Sequence, residues 1–231
     1  MTLAPGFYNL DCMLGMAQFP DKFFELAIVD PPYGIGVDGQ KESICKNPKH
    51  NRKEHTNKGW DTEIPSEQYF RELERVSVNQ IIWGGNYFIP YLHEGKKGWV
   101  VWDKGQRGLT MSDCELAYSS FDVPTRIFTK NRVALLQEGT VHPTQKPIVL
   151  YKWLLSNYAK PGDKILDTHV GSASSLIACH QMGFEYWGFE LDTDYFNAAT
   201  ERLNKVKAQV DIFEAAELPK PEQIGIEEGE E

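Results

Sequence analysis

Short apolar runs alternate with longer segments of helical spacing along this chain. Runs of strand length lie at residues 23–29, 80–83, 99–102, 115–121, 125–129, 164–167 and 184–189. Apolar residues recur at helical spacing in residues 66–77, 148–158, 176–182 and 194–207. This alternation predicts an α/β fold with a doubly wound, mostly parallel sheet and helices on both faces. In such a sheet, ligands bind at the carboxyl ends of the strands.

The run at residues 23–29 leads directly into Asp30-Pro31-Pro32-Tyr33. Two consecutive prolines fix the backbone and remove two N–H donors, so the Pro31 carbonyl stays free beside the Asp30 carboxylate. Two acceptors and an aromatic ring at one point suit a planar substrate that carries an NH₂ group, such as adenine or cytosine. The same residues also fit a proline-stiffened turn in which Asp30 caps a helix and Tyr33 packs in the core.

A second candidate site follows the predicted strand at residues 164–167. Asp167 ends this strand, a turn of small residues follows, and a helix and a further strand lead to Glu190 and Asp192. This order is typical of a nucleotide-binding βαβ unit, in which the turn admits the ligand and the acid accepts from ribose hydroxyls. Only Gly171 represents the glycine-rich loop, so an ordinary βαβ crossover fits the same pattern.

A third motif, His-Pro-Thr-Gln-Lys-Pro at residues 142–147, precedes the predicted helix at residues 148–158. Free N–H groups at a helix start, with Lys146 nearby, can bind an anion. A carboxylate bound there would gain a charge-assisted hydrogen bond of about 1.5–3 kcal/mol. A simple capped helix start is the alternative interpretation.

Together these three motifs resemble those of the amino-methyltransferases that act on exocyclic NH₂ groups of DNA bases with S-adenosylmethionine. The resemblance covers residues 7–207, and the motif order is similar to that of the β subgroup, in which the catalytic half precedes the cofactor half. Residues 80–88 and 102–104 look like segments of small phage and prophage members. The resemblance implies a Rossmann-like methyltransferase fold, double-stranded DNA as the substrate and N6 of adenine as the methylated atom.

The resemblance also implies a role for individual residues. The implied catalytic residues are Asp30, Pro31, Pro32 and Tyr33. Asp30 and the Pro31 carbonyl would accept from the target amine, and Tyr33 would stack on a flipped-out base. The implied cofactor residues are Asp11, Asp30, His142, Thr144, Lys146, Asp167, His169, Gly171, Ser172, Glu190 and Asp192. Of these, Thr144 and Lys146 are expected near the methionine carboxylate. Asp167 and Gly171 are expected at the methionine end, Glu190 at the ribose and Asp11 near the adenine.

This chain departs from the cofactor loop of the family, which usually reads Asp-Pro-Phe-x-Gly-Ser-Gly. Here His169 replaces a phenylalanine that packs on the cofactor, and Ala173 replaces a glycine. No cluster of Cys or carboxylate residues accompanies His169, so no metal site is predicted. The methyl group of Ala173 disfavours a positive φ. We expect these changes to weaken cofactor binding at most.

The net charge of −9 is unevenly distributed. Residues 211–231 hold eight acids and one lysine and predict a disordered acidic tail, whereas residues 1–210 predict one catalytic domain. Short insertions at about residues 37–60 and 104–137 are candidates for DNA recognition. The candidate DNA-binding residues are Lys41, Lys46, Lys49, Arg52, Lys53, Lys58, Arg107, Arg126 and Arg132. A solvated loop is the alternative for the first insertion.

The remaining features of the sequence concern the cellular location of the protein and its partners. No apolar run approaches about 18 residues, and the N-terminus lacks a signal-peptide pattern. The four cysteines are widely spaced, which favours free thiols and a cytoplasmic protein. The resemblance admits a homodimer and a cognate restriction endonuclease as partners.

Other functions fit parts of the same pattern. Methylation of cytosine N4 uses the same chemistry, and Asp30 favours adenine only by a tendency of the family. A glutamine-directed protein methyltransferase would carry asparagine at position 30. The altered cofactor loop is also compatible with a catalytically inactive module that binds nucleic acid or S-adenosylmethionine. A dinucleotide oxidoreductase fits less well, because only half of the glycine fingerprint is present.

Overall fold

The computed structural model describes residues 2–38, 58–92, 98–108, 112–130 and 145–217. The strands are β1 (Gly6–Asn9), β2 (Phe24–Val29), β3 (Ser77–Trp83), β4 (Trp99–Asp103), β5 (Cys114–Ser119), β6 (Arg126–Thr129), β7 (Lys164–Asp167) and β8 (Glu185–Glu190). The helices are α1 (Cys12–Met16), α2 (Glu67–Val76), α3 (Ile148–Tyr158), α4 (Ser174–Gln181) and α5 (Thr193–Glu217). Two short 3₁₀ turns, Gly85–Tyr87 and Ile89–Tyr91, follow β3.

The strands form one sheet with the spatial order β1-β8-β7-β2-β3-β5-β4-β6. Within this described sheet, β5 alone runs against the other strands, pairing antiparallel with β3 and β4. The adjacent strands β2 and β7 lie inside the sheet, and the chain moves outward from β2 to β3 and from β7 to β8. This arrangement is a topological switch point, where doubly wound sheets bind their ligands. The predicted α/β fold is confirmed.

Both faces of the sheet are covered by helices. On β2, Leu26 and Ile28 enter an apolar cluster with residues of α3 and α4. Ala27 and Val29 enter a second cluster, to which α1 and α2 contribute. Because successive side chains of a strand point to opposite faces, a strand buried on both faces reads as a continuous apolar run. This is why the motif that follows β2 is held on a rigid strand end.

Two strands that follow one another in the sequence are not neighbours in the sheet. The segments predicted at residues 115–121 and 125–129 form β5 and β6, but these strands do not pair with each other. Strand β5 lies between β3 and β4, whereas β6 adds in parallel to β4. Because β5 is already paired along both edges, β6 can join the sheet only at the outer edge of β4. Strand β1 and helix α1, of four and five residues, were not predicted.

Helix α5 extends beyond the boundary that the sequence predicts for it. It ends at Glu217, whereas residues 211–231 were predicted to be a disordered tail. No glycine or proline lies between Thr193 and Glu217, so nothing in the sequence breaks the helix within that range. Residues 218–231 lie outside the described residues. Although α5 spans 25 residues, neither it nor any other helix of the described chain is apolar enough to cross a membrane.

Candidate active site

A cavity of about 710 Å³ opens at the carboxyl edge of the sheet, beside the switch point between β2 and β7. This volume falls within the range of about 300–1,000 Å³ that is usual for small-molecule sites. The predicted site residues that line it are Asp11, Asp30, Pro32, Lys146, His169, Gly171, Ser172, Glu190 and Asp192. The three motifs, which are far apart in the sequence, therefore meet at one place.

The Asp30 carboxylate lies at the end of β2 and forms two internal hydrogen bonds. The Tyr33 hydroxyl donates to its Oδ1 at 2.6 Å, and the Lys146 ammonium donates to its Oδ2. Burial raises the pKa of Asp30, and the positive charge of Lys146 opposes this rise. Each carboxylate oxygen has a second lone pair. Asp30 can therefore still accept a hydrogen bond from a substrate amine in the cavity.

The ring of Tyr33, whose hydroxyl bonds to Asp30, belongs to a pair of stacked aromatic side chains. The ring of Tyr33 stacks on Tyr87, with centroids 5.1 Å apart and planes inclined by 16°. Gly84, with a φ of +71°, packs so closely on Tyr33 that an added Cβ would lie 2.2 Å from the ring. Tyr33 is thus fixed by its neighbours, whereas Tyr87 is 40% exposed. Tyr87 was not among the predicted site residues.

Lys146 lines the cavity and contacts three neighbouring side chains. Its ammonium group contacts Asp30 Oδ2, the Tyr33 hydroxyl at 3.2 Å and Glu115 Oε2 at 3.2 Å. A lysine ammonium has three donors, and these contacts use all three. Burial would lower the pKa of Lys146, but the carboxylates of Asp30 and Glu115 outweigh it and raise the pKa. Lys146 therefore binds the carboxylate of Asp30, and its place near the methionine carboxylate of the cofactor stays a prediction.

The side chain of Asp167 supports the loop between β7 and α4 through two hydrogen bonds. Its Oδ1 accepts from the backbone N–H of His169 at 3.0 Å, and its Oδ2 accepts from the Ser175 hydroxyl. Its side chain is buried and does not line the cavity. Burial raises the pKa of Asp167 to about 7. Asp167 therefore supports the loop. It does not line the cavity in which its contact with the cofactor was expected.

Glu190 closes the same loop from the end of β8. Its Oε2 accepts from the N–H of Gly171 at 2.9 Å, and its Oε1 accepts from the N–H of Asp192 at 3.0 Å. Because Glu190 also lines the cavity, its remaining lone pairs face the space where a ligand would lie. Ser172, which lines the cavity too, is held by a hydrogen bond from Arg202 to its carbonyl at 2.6 Å.

His169 forms an aromatic part of the cavity wall. Its ring meets the edge of Tyr69 with centroids 5.3 Å apart, and its Nδ1 lies 2.9 Å from the Thr168 hydroxyl. Burial lowers the pKa of His169 to about 4, so the ring is neutral at pH 7. A neutral, packed ring is what the phenylalanine of the family would supply at this position.

The opposed pKa shifts of Asp167 and His169 predict a pH dependence of stability. The pKa of Asp167 rises from 3.8 to about 7 on folding, so its stabilising contribution is lost as the pH rises through that range. The pKa of His169 falls from 6.5 to about 4, so its contribution is lost as the pH falls through that range. The two slopes oppose each other in the wild type.

Single variants should separate these slopes. Relative to the wild type, His169→Phe is expected to lose stability as the pH rises from about 4 to 6.5, and Asp167→Asn as it falls from about 7 to 3.8. Urea unfolding at several pH values measures both effects. Parallel pH curves for the wild type and both variants would contradict the prediction.

Ala173 occupies a backbone conformation that favours glycine. Its φ is +61°, and its side chain is fully buried. The strain of about 1–3 kcal/mol is offset by burial of a methyl group worth about 0.8 kcal/mol and by the lower flexibility of alanine in the unfolded chain. We therefore expect Ala173→Gly to change the unfolding free energy by less than about 1 kcal/mol, whereas Ala173→Val should cost more than about 2 kcal/mol. Chemical denaturation measures both, and equal losses would contradict this.

Asp11 and Asp192 line the cavity while each caps a helix. The Oδ1 of Asp11 accepts from the N–H groups of Met13 and Leu14, at the start of α1. The Oδ1 of Asp192 accepts from the N–H of Tyr195, at the start of α5. Capping uses one oxygen of Asp11, which leaves its second oxygen for a ligand.

Lys58 was predicted to contact DNA, but it lies in the cavity wall. Its ammonium is 2.7 Å from Asp192 Oδ1, 2.7 Å from Asp194 Oδ2 and 4.7 Å from the centre of the Tyr195 ring. Burial would lower the pKa of Lys58, but these carboxylates outweigh it and raise the pKa. The Lys58 ammonium is thus shared between two acids, and its contact with DNA stays a prediction.

Two other residues that were predicted to contact DNA, Arg107 and Arg126, lie within the described part of the chain. Arg107 forms a two-pronged bond to Asp103, with distances of 2.9 and 3.1 Å. Arg126 begins the edge strand β6, and so lies at the end of the sheet opposite the cavity. Neither position supports a contact with a base in the cavity. Lys41, Lys46, Lys49, Arg52, Lys53 and Arg132 lie outside the described residues, as do His142 and Thr144 of the third motif.

Asp61 is a structural feature of the site that the sequence did not indicate. Its Oδ1 accepts from the N–H groups of Tyr33 and Gly34, and its Oδ2 accepts from the N–H of Val37, each at 2.8 Å. The side chain is 2% exposed. Asp61 thus fixes the backbone that follows the Asp30 motif, and no periodicity or motif spacing could have signalled a contact across 28 residues.

A doubly wound sheet with a cavity of nucleotide size at its switch point places this protein among the Rossmann-like α/β enzymes. A sequence model of the DNA methylase family (N6_N4_Mtase) matches residues 86–201, just over half of the chain. The chain belongs to this family of DNA methyltransferases, whose methyl donor is S-adenosylmethionine. Among the described residues, no group of three or more His, Cys, Asp and Glu side chains is arranged to hold a metal ion.

Individual relatives agree with this assignment. The chain is 26% identical to a protein of Escherichia coli (strain K12) named as a methylase, YubD, over 87% of this chain and 91% of the relative. It is 25% identical to the type II methyltransferase M.HinfI of Haemophilus influenzae, over 93% of this chain and 72% of the relative.

Solved structures share the fold. The complex of M1.HpyAVI with S-adenosylmethionine matches with a TM-score of 0.56 and 20% identity, over 85% of this chain and 98% of that one. The cytosine-N4-specific PvuII DNA methyltransferase also matches with a TM-score of 0.56, at 12% identity, over 91% of this chain and 93% of that one. These structures confirm the Rossmann-like fold that the sequence predicts.

Proposed function

We propose that this chain transfers the methyl group of S-adenosylmethionine to the exocyclic N6 of a flipped-out adenine in double-stranded DNA. The observation that carries the proposal is the position of Asp30. Its carboxylate lines the cavity at the switch point, next to the Pro31 carbonyl in sequence and bonded to the Tyr33 hydroxyl, whose ring stacks on Tyr87. The order of the motifs, with Asp30 before the cofactor loop, supports membership of the β subgroup.

The donor groups of the cavity fit S-adenosylmethionine. Asp11 and Glu190 offer carboxylate oxygens to amino and hydroxyl groups, while His169 and Leu191 supply neutral, partly apolar walls. Gly171 and Ser172 lie in the loop between β7 and α4 and line the cavity, so a ligand can approach their backbone closely. When bound, S-adenosylmethionine supplies an electrophilic methyl group on its sulfonium. The protein's own task is then to orient the acceptor nitrogen and exclude water.

Asp30 would prepare the amine for transfer. The lone pair of adenine N6 is delocalised into the ring, which makes the amine a poor nucleophile. Hydrogen bonds from its two N–H groups to the Asp30 carboxylate and the Pro31 carbonyl favour a tetrahedral nitrogen and localise that lone pair. A strong base is unnecessary, because the nitrogen becomes acidic once it is methylated.

The target base must leave the DNA stack to reach this site. Unstacking costs a few kcal/mol, and stacking on an aromatic side chain offsets about 1–3 kcal/mol per base. We assign this role to Tyr33 and Tyr87, whose rings already form a stacked pair beside Asp30. The exposed fraction of Tyr87 makes it the better contact for an incoming base.

The partners follow from the same proposal. M.HinfI is named as a type II methyltransferase, so a cognate restriction endonuclease is one partner that we propose for this chain. A homodimer is the other. Sedimentation of the pure protein, with and without a DNA duplex, distinguishes a monomer from a dimer.

The function is tested by incubating unmethylated genomic DNA with the protein and labelled S-adenosylmethionine, followed by mass spectrometry of the nucleosides. N6-methyladenine is the expected product. N4-methylcytosine would keep the mechanism and replace the base. No methylated base, from protein that binds the cofactor, would overturn the proposed function and favour a catalytically inactive module.

A further inference from the structure

A line of alternating charges leads away from the Asp30 carboxylate. Lys146 bridges Asp30 Oδ2 and Glu115 Oε2, and the other oxygen of Glu115 lies 2.8 Å from the ammonium of Lys104. The order of charges is therefore negative, positive, negative, positive. Neither Glu115 nor Lys104 touches the cavity.

The reversed strand β5 brings this line together. Because β5 runs against its neighbours, its beginning lies at the carboxyl edge of β4, where Glu115 faces Trp102 in the strand register. Lys104 directly follows β4, and its backbone N–H donates to the Asp113 carbonyl at 3.0 Å. Both ends of the Lys104–Glu115 pair are therefore fixed by the sheet.

The two lysines of this line are shielded from water. The Lys104 ammonium lies 5.7 Å from the Trp102 ring, and the Lys146 ammonium lies 5.2 Å from the Trp83 ring. The side chains of Lys104 and Lys146 are 9% and 3% exposed. Removing one partner of such a buried pair leaves an uncompensated charge. The position of each charge thus depends on its neighbours in the line.

We propose that Glu115 and Lys104 are positioning residues for methyl transfer: they tether the Lys146 ammonium and thereby fix the Asp30 carboxylate at the cavity. This inference rests on the proposed function. With the tether, Lys146 divides its donors between two carboxylates and the Tyr33 hydroxyl, and Asp30 keeps lone pairs for the substrate amine. Without it, Lys146 is free to pair with Asp30 alone and to draw that carboxylate away from the substrate.

The charged and titratable groups that act on Asp30 come from several elements. They are Lys146 before α3, Glu115 on β5, Tyr33 on its own loop, Asp167 on β7, Tyr151 on α3 and Tyr69 on α2. The negative charge of Glu115 raises the pKa of Asp30. Removing it should lower that pKa, whereas removing the more distant positive charge of Lys104 should raise it slightly.

The experiment compares Glu115→Gln and Lys104→Met with the wild type in two ways. Carbon NMR of the Asp30 carboxyl, assigned with Asp30→Asn, gives its pKa whether or not the protein turns over. Single-turnover methyl transfer to DNA gives the rate, and titration calorimetry gives the affinity for S-adenosylmethionine. We expect pKa shifts of opposite sign, and for Glu115→Gln a rate lower by about 10- to 100-fold with cofactor affinity within about twofold of the wild type.

The double variant Glu115→Gln with Lys104→Met distinguishes a rate lowered by reduced stability from a rate lowered by loss of the tether. It restores the balance of charge, so the melting temperature should recover, but Lys146 stays untethered and the rate should stay low. The matched control is Glu201→Gln, which breaks an exposed pair with Lys205 on α5 and should leave rate and pKa unchanged.

Two results would overturn the inference. One is a wild-type rate in Glu115→Gln or in the double variant. The other is an Asp30 pKa that moves in neither single variant. Both differ from failure of the proposed function, in which the wild type itself methylates no base in DNA.

Discussion

Asp30→Asn is expected to lower the rate of methyl transfer to DNA by about 100- to 1,000-fold, the usual cost of losing one placed charge or donor in an active site. Asparagine keeps the shape of the side chain but replaces one acceptor oxygen with a donor NH₂ group. That group would face either the substrate amine or the donors of Tyr33 and Lys146, which now bond to the carboxylate. The amine then loses the acceptor that localises its lone pair.

The affinity for S-adenosylmethionine should change far less than the rate. Asp11 and Glu190, which offer carboxylate oxygens to the cofactor in the proposed function, are untouched by the substitution. The measurements are single-turnover methyl transfer and calorimetric cofactor binding. Glu185→Gln is the matched control, since Glu185 is exposed at the amino end of β8, away from the cavity. An Asp30→Asn protein that methylates DNA at the wild-type rate would remove Asp30 from the mechanism.

Asp61→Ala is expected to lower the free energy of unfolding by about 3 kcal/mol. The change leaves the N–H groups of Tyr33, Gly34 and Val37 without their common acceptor. An unsatisfied buried N–H costs about 1–3 kcal/mol, and the exposure of Gly34 and Val37 lets water recover part of this. Because the same loop carries Tyr33, methyl transfer should fall as well.

A graded series makes this prediction sharper. Asp61→Asn keeps one acceptor oxygen and should lie between the wild type and Asp61→Ala in chemical denaturation. The matched control is Asp163→Ala, since Asp163 accepts a single hydrogen bond, from the N–H of Lys160 at 2.8 Å in an exposed turn. Its loss should cost about 0.5–1.5 kcal/mol. Equal losses for Asp61→Ala and Asp163→Ala would show that the three bonds to Asp61 do not stabilise the loop.

Much of the fold was predictable because its signals are local. The apolar run before Asp30 and the helical spacing of α3 depend on neighbouring residues only, and both elements form as predicted. Strand β7, the small-residue turn and β8 also follow in the predicted order. The pairing of β6 was not predictable, since it depends on which strand edge remains free after β5 has been placed.

For the candidate site too, the sequence indicated individual residues but not the long-range contacts between them. Asp30, Gly171 and Glu190 were recognised in the sequence, and they line one cavity. The sequence did not reveal that Lys58 pairs with Asp192, 134 residues away. Both residues are charged and lie outside the apolar runs, so nothing in their local pattern distinguishes an ion pair within the protein from a contact with DNA.

The sequence by itself indicated most of the helices and strands and the candidate residues for the chemistry, because periodicity and short motifs are properties of adjacent residues. The tertiary structure alone decided how those residues are used. Lys146 meets Asp30 across 116 residues, and Glu115 meets Lys146 only because β5 runs against its neighbours. Such contacts depend on strand order and direction, because a hydrogen bond forms only where the fold places a donor and an acceptor within about 3 Å of each other.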